Sequence, residues 1–292
     1  MTVKNLLKGL RNELNNVIEK HLTNDANFNS IVTVENLDKY SSFLKEICFT
    51  TKYGNTVIFT NGNSWYMDTL IRNLVVSFKH HKEHKDYPFG VISSDEEGYS
   101  KAKKEYKHSF LIKIPLLKVD NLMTVKQPED YTRLCFVKTA LIYHALKFGY
   151  TVLYIDPDQS FIKPSVSYLL DKIGEYGLVL AGIKEGNMNT NIIGVQPTSN
   201  NISIFELDYK TFEANLLNKR LYNRWSMSDE EFIIMKDGYD PDKIIHLDVK
   251  LFPPGSLIKD NRETAMVVHA NCVSGLDNKI AFMKEYKGWF LQ

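Results

Sequence analysis

The sequence predicts an α/β fold, a central mostly parallel mixed sheet flanked by helices, on three observations. Short β-branched and aromatic runs such as Val57-Ile58-Phe59 and Val152-Leu153-Tyr154-Ile155 read as buried strands. Longer stretches between them repeat their apolar residues every three or four positions, as helices do. Asp156 and Asp158 follow the second run directly, and in open α/β sheets ligands gather at that end of a strand.

Composition narrows the function classes. The 292 residues suit one large α/β domain or two small ones. With 43% hydrophobic and 24% charged residues the balance is globular and argues against disorder. Lys and Arg number 36 against 35 acidic residues, a net charge of +1, so nucleic acid is not the expected partner. The three cysteines, Cys48, Cys135 and Cys272, are far apart and form no CxxC pair. They read as reduced thiols of a cytosol-like compartment, not as a disulfide frame or a zinc site. No apolar stretch approaches the ~20 residues that span a bilayer, and the N-terminus lacks a signal-peptide core. The expectation is a cytoplasmic protein with no transmembrane segment.

The elements are predicted in order. Leu6, Leu7, Leu10, Leu14, Val17 and Ile18 place a helix over Val3 to His21. It packs on the main domain or a partner, or lies on a membrane surface; its mixed-sign polar face favours packing and leaves peripheral membrane association open. A second helix runs near Val34 to Ile47, so residues 1–50 form a helical extension before a domain over 51–292. Val57 to Phe59 is a strand ended by Thr60-Asn61-Gly62-Asn63, a turn that also suits a helix start at Ser64. That helix carries Met67, Leu70, Ile71, Leu74 and Phe78 and ends at His80 to His84. His80 and His84, four apart, have metal-sharing spacing, but a solvated helix end explains them as well. Strands follow at Phe89 to Ile92 and Phe110 to Ile114, separated by an acidic turn at Ser94 to Glu97. A helix over Asp130 to Lys147 leads through Gly149 into the strand before Asp156. Further strands are expected at Leu178 to Ile183 and Ile192 to Val195, and a helix over Ile202 to Leu217.

Carboxylates two apart on a strand point to one side, so Asp156 and Asp158 can approach one cation. Their hard oxygens suit Mg²⁺ or Mn²⁺, which complete their shells with water and phosphate oxygens. An Asp-Pro-Asp turn that merely ends a strand is the other local explanation.

Five blocks recur in a known order. They are VIFTNGN (Val57 to Asn63), YTRLCFVKTALIYHALKFGYTVLYIDPD (Tyr131 to Asp158), NTNIIGVQPT (Asn189 to Thr198), SMSDEEF (Ser226 to Phe232) with LDVKLFPPG (Leu247 to Gly255), and VVHANCVSGLDNKIAFMKEYKGWFL (Val267 to Leu291). Together they resemble the nucleotide-diphospho-sugar transferases, glycosyltransferases of the GT-A fold with a DxD motif, and are similar to plant cell-wall xylosyltransferases and viral relatives. The resemblance implies a GT-A-like nucleotide-binding fold and an enzyme that moves a sugar from a UDP- or GDP-sugar to a glycan, protein or lipid-linked acceptor. It implies Mn²⁺ or Mg²⁺ held by Asp156, Asp158 and His269, with Asp156 also reaching the ribose. It places Thr60, Asn61 and Gly62 at the base and ribose, Lys138 near the diphosphate or sugar, Arg133 near the acidic motif, and Lys279 at the β-phosphate. Asn191 stands on the sugar-side strand, where a small Ser-Gly pair is more usual. Asp229 and Glu230 would touch the sugar or acceptor, and Trp225 could stack on a sugar.

Structural explanations stand beside several of these. Ser228 and Glu231 form a capping box that accounts for the acidic residues between them, and Lys279 also fits an exposed helix position. The resembled enzymes are mostly retaining, and no isolated general base stands out, which favours retention. A nucleotidyltransferase that makes sugar nucleotides is the first rival, but it needs a basic Gly-rich loop after the first strand, and none precedes Arg72 here. A catalytically inactive sugar-nucleotide-binding protein is the second; an intact Asp156, Asp158 and His269 set argues against it.

Overall fold

The computed structural model describes residues 30–117, 128–183, 187–213 and 244–292, with residues 216, 232, 233 and 236. The helix expected over residues 3–21 and the block with Trp225, Asp229 and Glu230 lie outside the described residues.

Helix α1 (Leu37–Glu46) leads into a hairpin of β1 (Phe49–Thr51) and β2 (Gly54–Gly62). The hairpin turns at Gly54, whose φ of 108° is open to glycine without a Cβ clash. A helix in three pieces follows: Ser64–Tyr66, a π-turn at Met67–Ile71, and α2 (Arg72–His80). Next come β3 (Gly90–Ser93), α3 (Glu96–Glu105), β4 (Ser109–Leu111), α4 (Pro128–Lys147), β5 (Thr151–Ile155) and β6 (Gln159–Phe161). Then follow α5 (Val166–Tyr176), β7 (Leu178–Ile183), β8 (Asn187–Val195) and α6 (Ser199–Phe205). The described chain closes with β9 (Ile245–His246), α7 (Ile258–Asn261), β10 (Val267–His269) and α8 (Leu276–Glu285).

The main sheet runs β4-β3-β2-β5-β8-β7-β9, with β1 added antiparallel to the start of β2. Strands β4, β3, β2 and β5 are parallel, whereas β8 is antiparallel to both β5 and β7. The sheet is the mostly parallel, helix-flanked one that the sequence predicts. A separate pair, β6 with β10, joins the segment after Asp158 to the far end of the chain.

Strand alternation explains the two-sided core. Val57, Phe59, Val152, Tyr154, Ile193 and Val195 join one cluster, packed with α1 and α4. Ile58, Leu153, Ile155, Val179 and Ile192 join the other, under α2 and α5. Burial of both faces is why these strands are apolar throughout. Tyr40, Phe43, Leu44 and Ile47, on the extension side of residue 50, belong to the first cluster.

Several local expectations change. Strand β2 runs on through Gly62, so Thr60 to Gly62 are strand and not part of a turn. The acidic turn at Ser94 to Glu97 begins α3, because Asp95 caps two helices: Oδ1 accepts from Gly98 N–H at 2.6 Å and Oδ2 from Ser64 N–H at 2.8 Å. Helix α3 buries only Gly98 and Ala102, so it has no apolar stripe to betray it. The helix expected over 202–217 breaks after Phe205, where Asp208 bridges to Ile31 and then accepts from Thr211 N–H at 2.6 Å. His84 is neither solvated nor a metal partner of His80. It is fully buried, faces the Phe78 carbonyl through Nδ1 at 3.2 Å, and accepts Ser165 N–H through Nε2 at 2.9 Å. Burial pushes its pKa down to about 4.

Candidate active site

A cavity of about 300 Å³ opens where β2 and β5 end beside β10 and α4. Asn61, Gly62, Tyr66, Leu134, Cys135, Lys138, Asp156, Asp158, His269 and Lys279 are among its walls. Strand order switches sides here, with β3 and β4 to one side of β2 and β5 to the other, and the carboxyl ends of strands at such a switch point form the usual crevice for ligands.

Asp156 follows β5 and is held by backbone: its N–H donates to the Asn191 carbonyl at 2.8 Å. Lys138, buried on α4, reaches Asp156 Oδ1 at 3.3 Å and is steadied by the Thr190 hydroxyl at 2.9 Å and carbonyl at 3.2 Å. Asp158 meets His269 Nε2 through Oδ1 at 3.3 Å and Lys279 Nζ through Oδ2 at 2.5 Å. His269 comes to this spot because β10 pairs antiparallel with β6, His269 opposite Gln159. Ala270 N–H then donates to the Asp158 carbonyl at 3.0 Å.

Asp156, Asp158 and His269 each offer one ligand atom, and these atoms lie within 4.8 Å of one another. Two carboxylates and an imidazole fit Mn²⁺, and Mg²⁺ less fully because it favours oxygen. Each carboxylate oxygen keeps lone pairs beyond those already engaged, so the donor set suits a divalent ion.

The electrostatics separate the two acids. Burial pushes the Asp156 carboxyl up, with Lys138 acting against it and the neighbouring Asp158 with it. Burial opposes ionisation of Asp158 too, but His269 and Lys279 outweigh it and hold its carboxyl well below the usual range. Burial and the nearby carboxylates push the Tyr66 phenol up to about 12, so it stays a donor.

Not every candidate reaches the cavity. Thr60 alternates to the other face of β2 from Asn61, and its hydroxyl is buried with no hydrogen-bond partner. Arg133 turns away: its guanidinium donates to the Leu117 carbonyl at 3.0 Å and lies 5.8 Å from the centre of the Phe212 ring. Asn191 is buried behind the wall, with its amide 2.9 Å from His269 Nδ1. Tyr66, Tyr154, Asn189 and Asn271 line the cavity without having been singled out from sequence. Asn271 carries a signal, since it lies two residues past His269, but Tyr66 reads only as a helix residue.

An α/β sheet with carboxylates at a strand tip and an imidazole brought to them defines a ligand-binding enzyme architecture. Residues 88–283, more than half of the chain, match the family model for nucleotide-diphospho-sugar transferases. The chain belongs to that family. No curated protein matches it. Among solved structures it is similar to the bifunctional glycosyltransferase WbbM (12% identity, TM-score 0.47, 80% of this chain and 51% of that one). It is also similar to the glycosyltransferase GlyE of Streptococcus pneumoniae TIGR4 (13%, 0.47, 78% and 59%). A third is mouse xyloside xylosyltransferase 1 (10%, 0.46, 74% and 98%). The chain thus spans 51% and 59% of the length of the first two. Family membership rests on the match over residues 88–283.

Proposed function

We propose that this chain is a metal-dependent glycosyltransferase that moves a sugar from a UDP- or GDP-sugar to a hydroxyl of a glycan, protein or lipid-linked acceptor. The observation that carries this reading is the convergence within 4.8 Å of Asp156 and Asp158, from the turn between β5 and β6, and His269, from β10. When bound there, a divalent ion would supply Lewis-acid neutralisation of a diphosphate leaving group.

The remaining work falls to side chains of the cavity. Tyr154 O–H donates to Asn61 Oδ1 at 2.8 Å, which orients the amide and leaves its N–H₂ group for the carbonyl of a base. Lys138 balances Asp156 and sits beside the diphosphate or sugar, while Lys279 contributes positive charge to the β-phosphate. In the transfer, the bond from the anomeric carbon to phosphate oxygen breaks, a bond to the acceptor oxygen forms, and the acceptor proton passes to the departing diphosphate. Retention belongs to this reading. Among the described lining residues, every carboxylate and the imidazole belong to the cation set, so none of these stands apart as a general base. Asp229 and Glu230 are proposed to contact the sugar or acceptor.

The transferase unit is proposed to occupy 51–292, with 1–50 as an extension whose second half packs on it. A cytoplasmic location is part of the same reading; among the described residues no helix is long and apolar enough to cross a membrane.

Incubation with Mn²⁺ and a panel of UDP- and GDP-sugars tests the function. Slow release of the nucleoside diphosphate from one donor is expected even without acceptor. Pyrophosphate release from a nucleoside triphosphate and a sugar phosphate would point instead to a nucleotidyltransferase. Tight nucleotide binding with no turnover of any donor, with acceptors supplied, would leave a binding protein.

A further inference from the structure

Asn191 is joined to three parts of the candidate site at once. Its backbone carbonyl accepts from Asp156 N–H at 2.8 Å and from Gln159 Nε2 at 2.7 Å. Its side-chain amide lies 2.9 Å from His269 Nδ1, and both side chains are about 2% exposed. Asn191 N–H in turn donates to Asn189 Oδ1 at 3.0 Å, so the residue is anchored on both sides of its peptide unit. It is not among the residues that line the cavity.

An imidazole that binds a cation through one nitrogen carries its proton on the other, and that N–H needs an acceptor that fixes ring and tautomer. His269 Nε2 faces Asp158, so Nδ1 is the nitrogen that would carry the proton. The group facing Nδ1 is an amide with one acceptor and one donor end. In the structure Nδ2 faces Nδ1, and Asn191 Oδ1 is buried without a partner. That orientation suits a ring whose Nε2–H donates to Asp158. A half-turn of the amide exchanges oxygen and nitrogen at the same contact distance, places Oδ1 against Nδ1–H, and frees the Nε2 lone pair.

We propose that Asn191 is a positioning residue that selects the tautomer of His269, its amide oxygen accepting Nδ1–H whenever Nε2 ligates a divalent cation. The proposal rests on the cation reading given above and assigns Asn191 a place behind the metal site, not contact with the transferred sugar. Side-chain substitution leaves the Asn191 carbonyl, and hence the seats of Asp156 and Gln159, in place. Removal of the amide therefore perturbs His269 in particular.

The test uses the full chain without nucleotide. Free Mn²⁺ is counted by electron paramagnetic resonance for wild type, Asn191→Leu, Asn191→Asp and Asp158→Asn. Asn191→Leu should bind Mn²⁺ ~10- to 100-fold more weakly, whereas Asn191→Asp, an acceptor that restores the Nδ1–H bond, should bind within ~3-fold of wild type or more tightly. Nitrogen-15 spectra of the wild-type chain with saturating Mg²⁺ should show His269 protonated at Nδ1. If wild type binds no Mn²⁺, or Asp158→Asn binds it equally well, the cation reading fails and this inference with it. If Asp158→Asn loses Mn²⁺ but Asn191→Leu does not, the cation reading survives and only the role of Asn191 is overturned. Should Asn191→Leu fail to fold, the wild-type tautomer decides, and Nε2–H in the Mg²⁺ complex overturns the proposal.

Discussion

Lys279 Nζ lies 2.5 Å from Asp158 Oδ2, a contact between residues 121 positions apart, and 2.7 Å from the Ala270 carbonyl. It places the start of α8 against the acidic tip beyond β5. The Ala270 N–H, bonded to the Asp158 carbonyl at 3.0 Å, stitches the same two segments through backbone. The geometry therefore presents a carboxylate whose two oxygens face different groups, the His269 imidazole and the Lys279 ammonium on its long flexible stem.

Replacing Lys279 with Met should lower kcat/KM for the sugar nucleotide ~10²-fold, about 3 kcal/mol of transition-state stabilisation, with little change in the fold. Steady-state kinetics beside circular dichroism measure this. An unaltered kcat/KM would remove Lys279 from the mechanism.

Asp158→Asn should cut turnover ~10²- to 10³-fold. It should cost only ~1–3 kcal/mol of stability, because the site sits at a strand tip but Lys279 and His269 lose a charged acceptor. Denaturant unfolding and activity per folded molecule separate the two effects. A variant that unfolds readily while its folded fraction keeps full activity would show that the carboxylate serves structure alone.

Chelation by EDTA should abolish donor turnover, and Mn²⁺ should restore it better than Ca²⁺. Calcium prefers six to eight oxygen ligands at longer distances, whereas this site provides a nitrogen and few oxygens. Turnover that persists at full rate in excess chelator rules out the cation.

Arg133→Gln should leave donor KM and kcat within ~2-fold of wild type and cost ~1 kcal/mol of stability, from the lost Leu117 bond and the Phe212 contact. Loss of donor affinity in this variant would return the guanidinium to the nucleotide.

Two buried histidines make stability depend on pH. Burial lowers both His84 and His144 from 6.5 to about 4; His144 accepts Val34 N–H through Nε2 at 3.3 Å. Between those values the unfolded chain binds more protons than the folded one, so stability falls as pH falls. From pH 7 to pH 5 each should contribute a loss of about 2 kcal/mol. Urea unfolding at the two pH values measures it, and a flat or rising stability toward pH 5 contradicts the assignment.

Much of the sheet was legible because its strands are buried on both faces and so appear as unbroken apolar runs. β7 begins and ends where its pattern does, at Leu178 and Ile183. Helix α3 was not legible, since its sequence is polar and it buries only Gly98 and Ala102. His84 misled for a different reason: the carbonyl and amide groups that satisfy it, at Phe78 and Ser165, adjoin it only after folding. The lysine and arginine of α4 looked alike in sequence, but five residues of helix turn them to different neighbours, Asp156 for Lys138 and Leu117 for Arg133.

Taken alone, the order of residues determined the α/β class, the position of the acidic pair at a strand tip and the family resemblance, because each is local or a matter of motif sequence. Only the tertiary structure decided which side chains meet. The antiparallel pairing of β6 with β10 brings His269 and Lys279 to Asp158, and burial of Asn191 behind His269 makes it a support and not a wall of the cavity. Those relations depend on strand partners far apart in the chain, and no spacing between neighbouring residues encodes them.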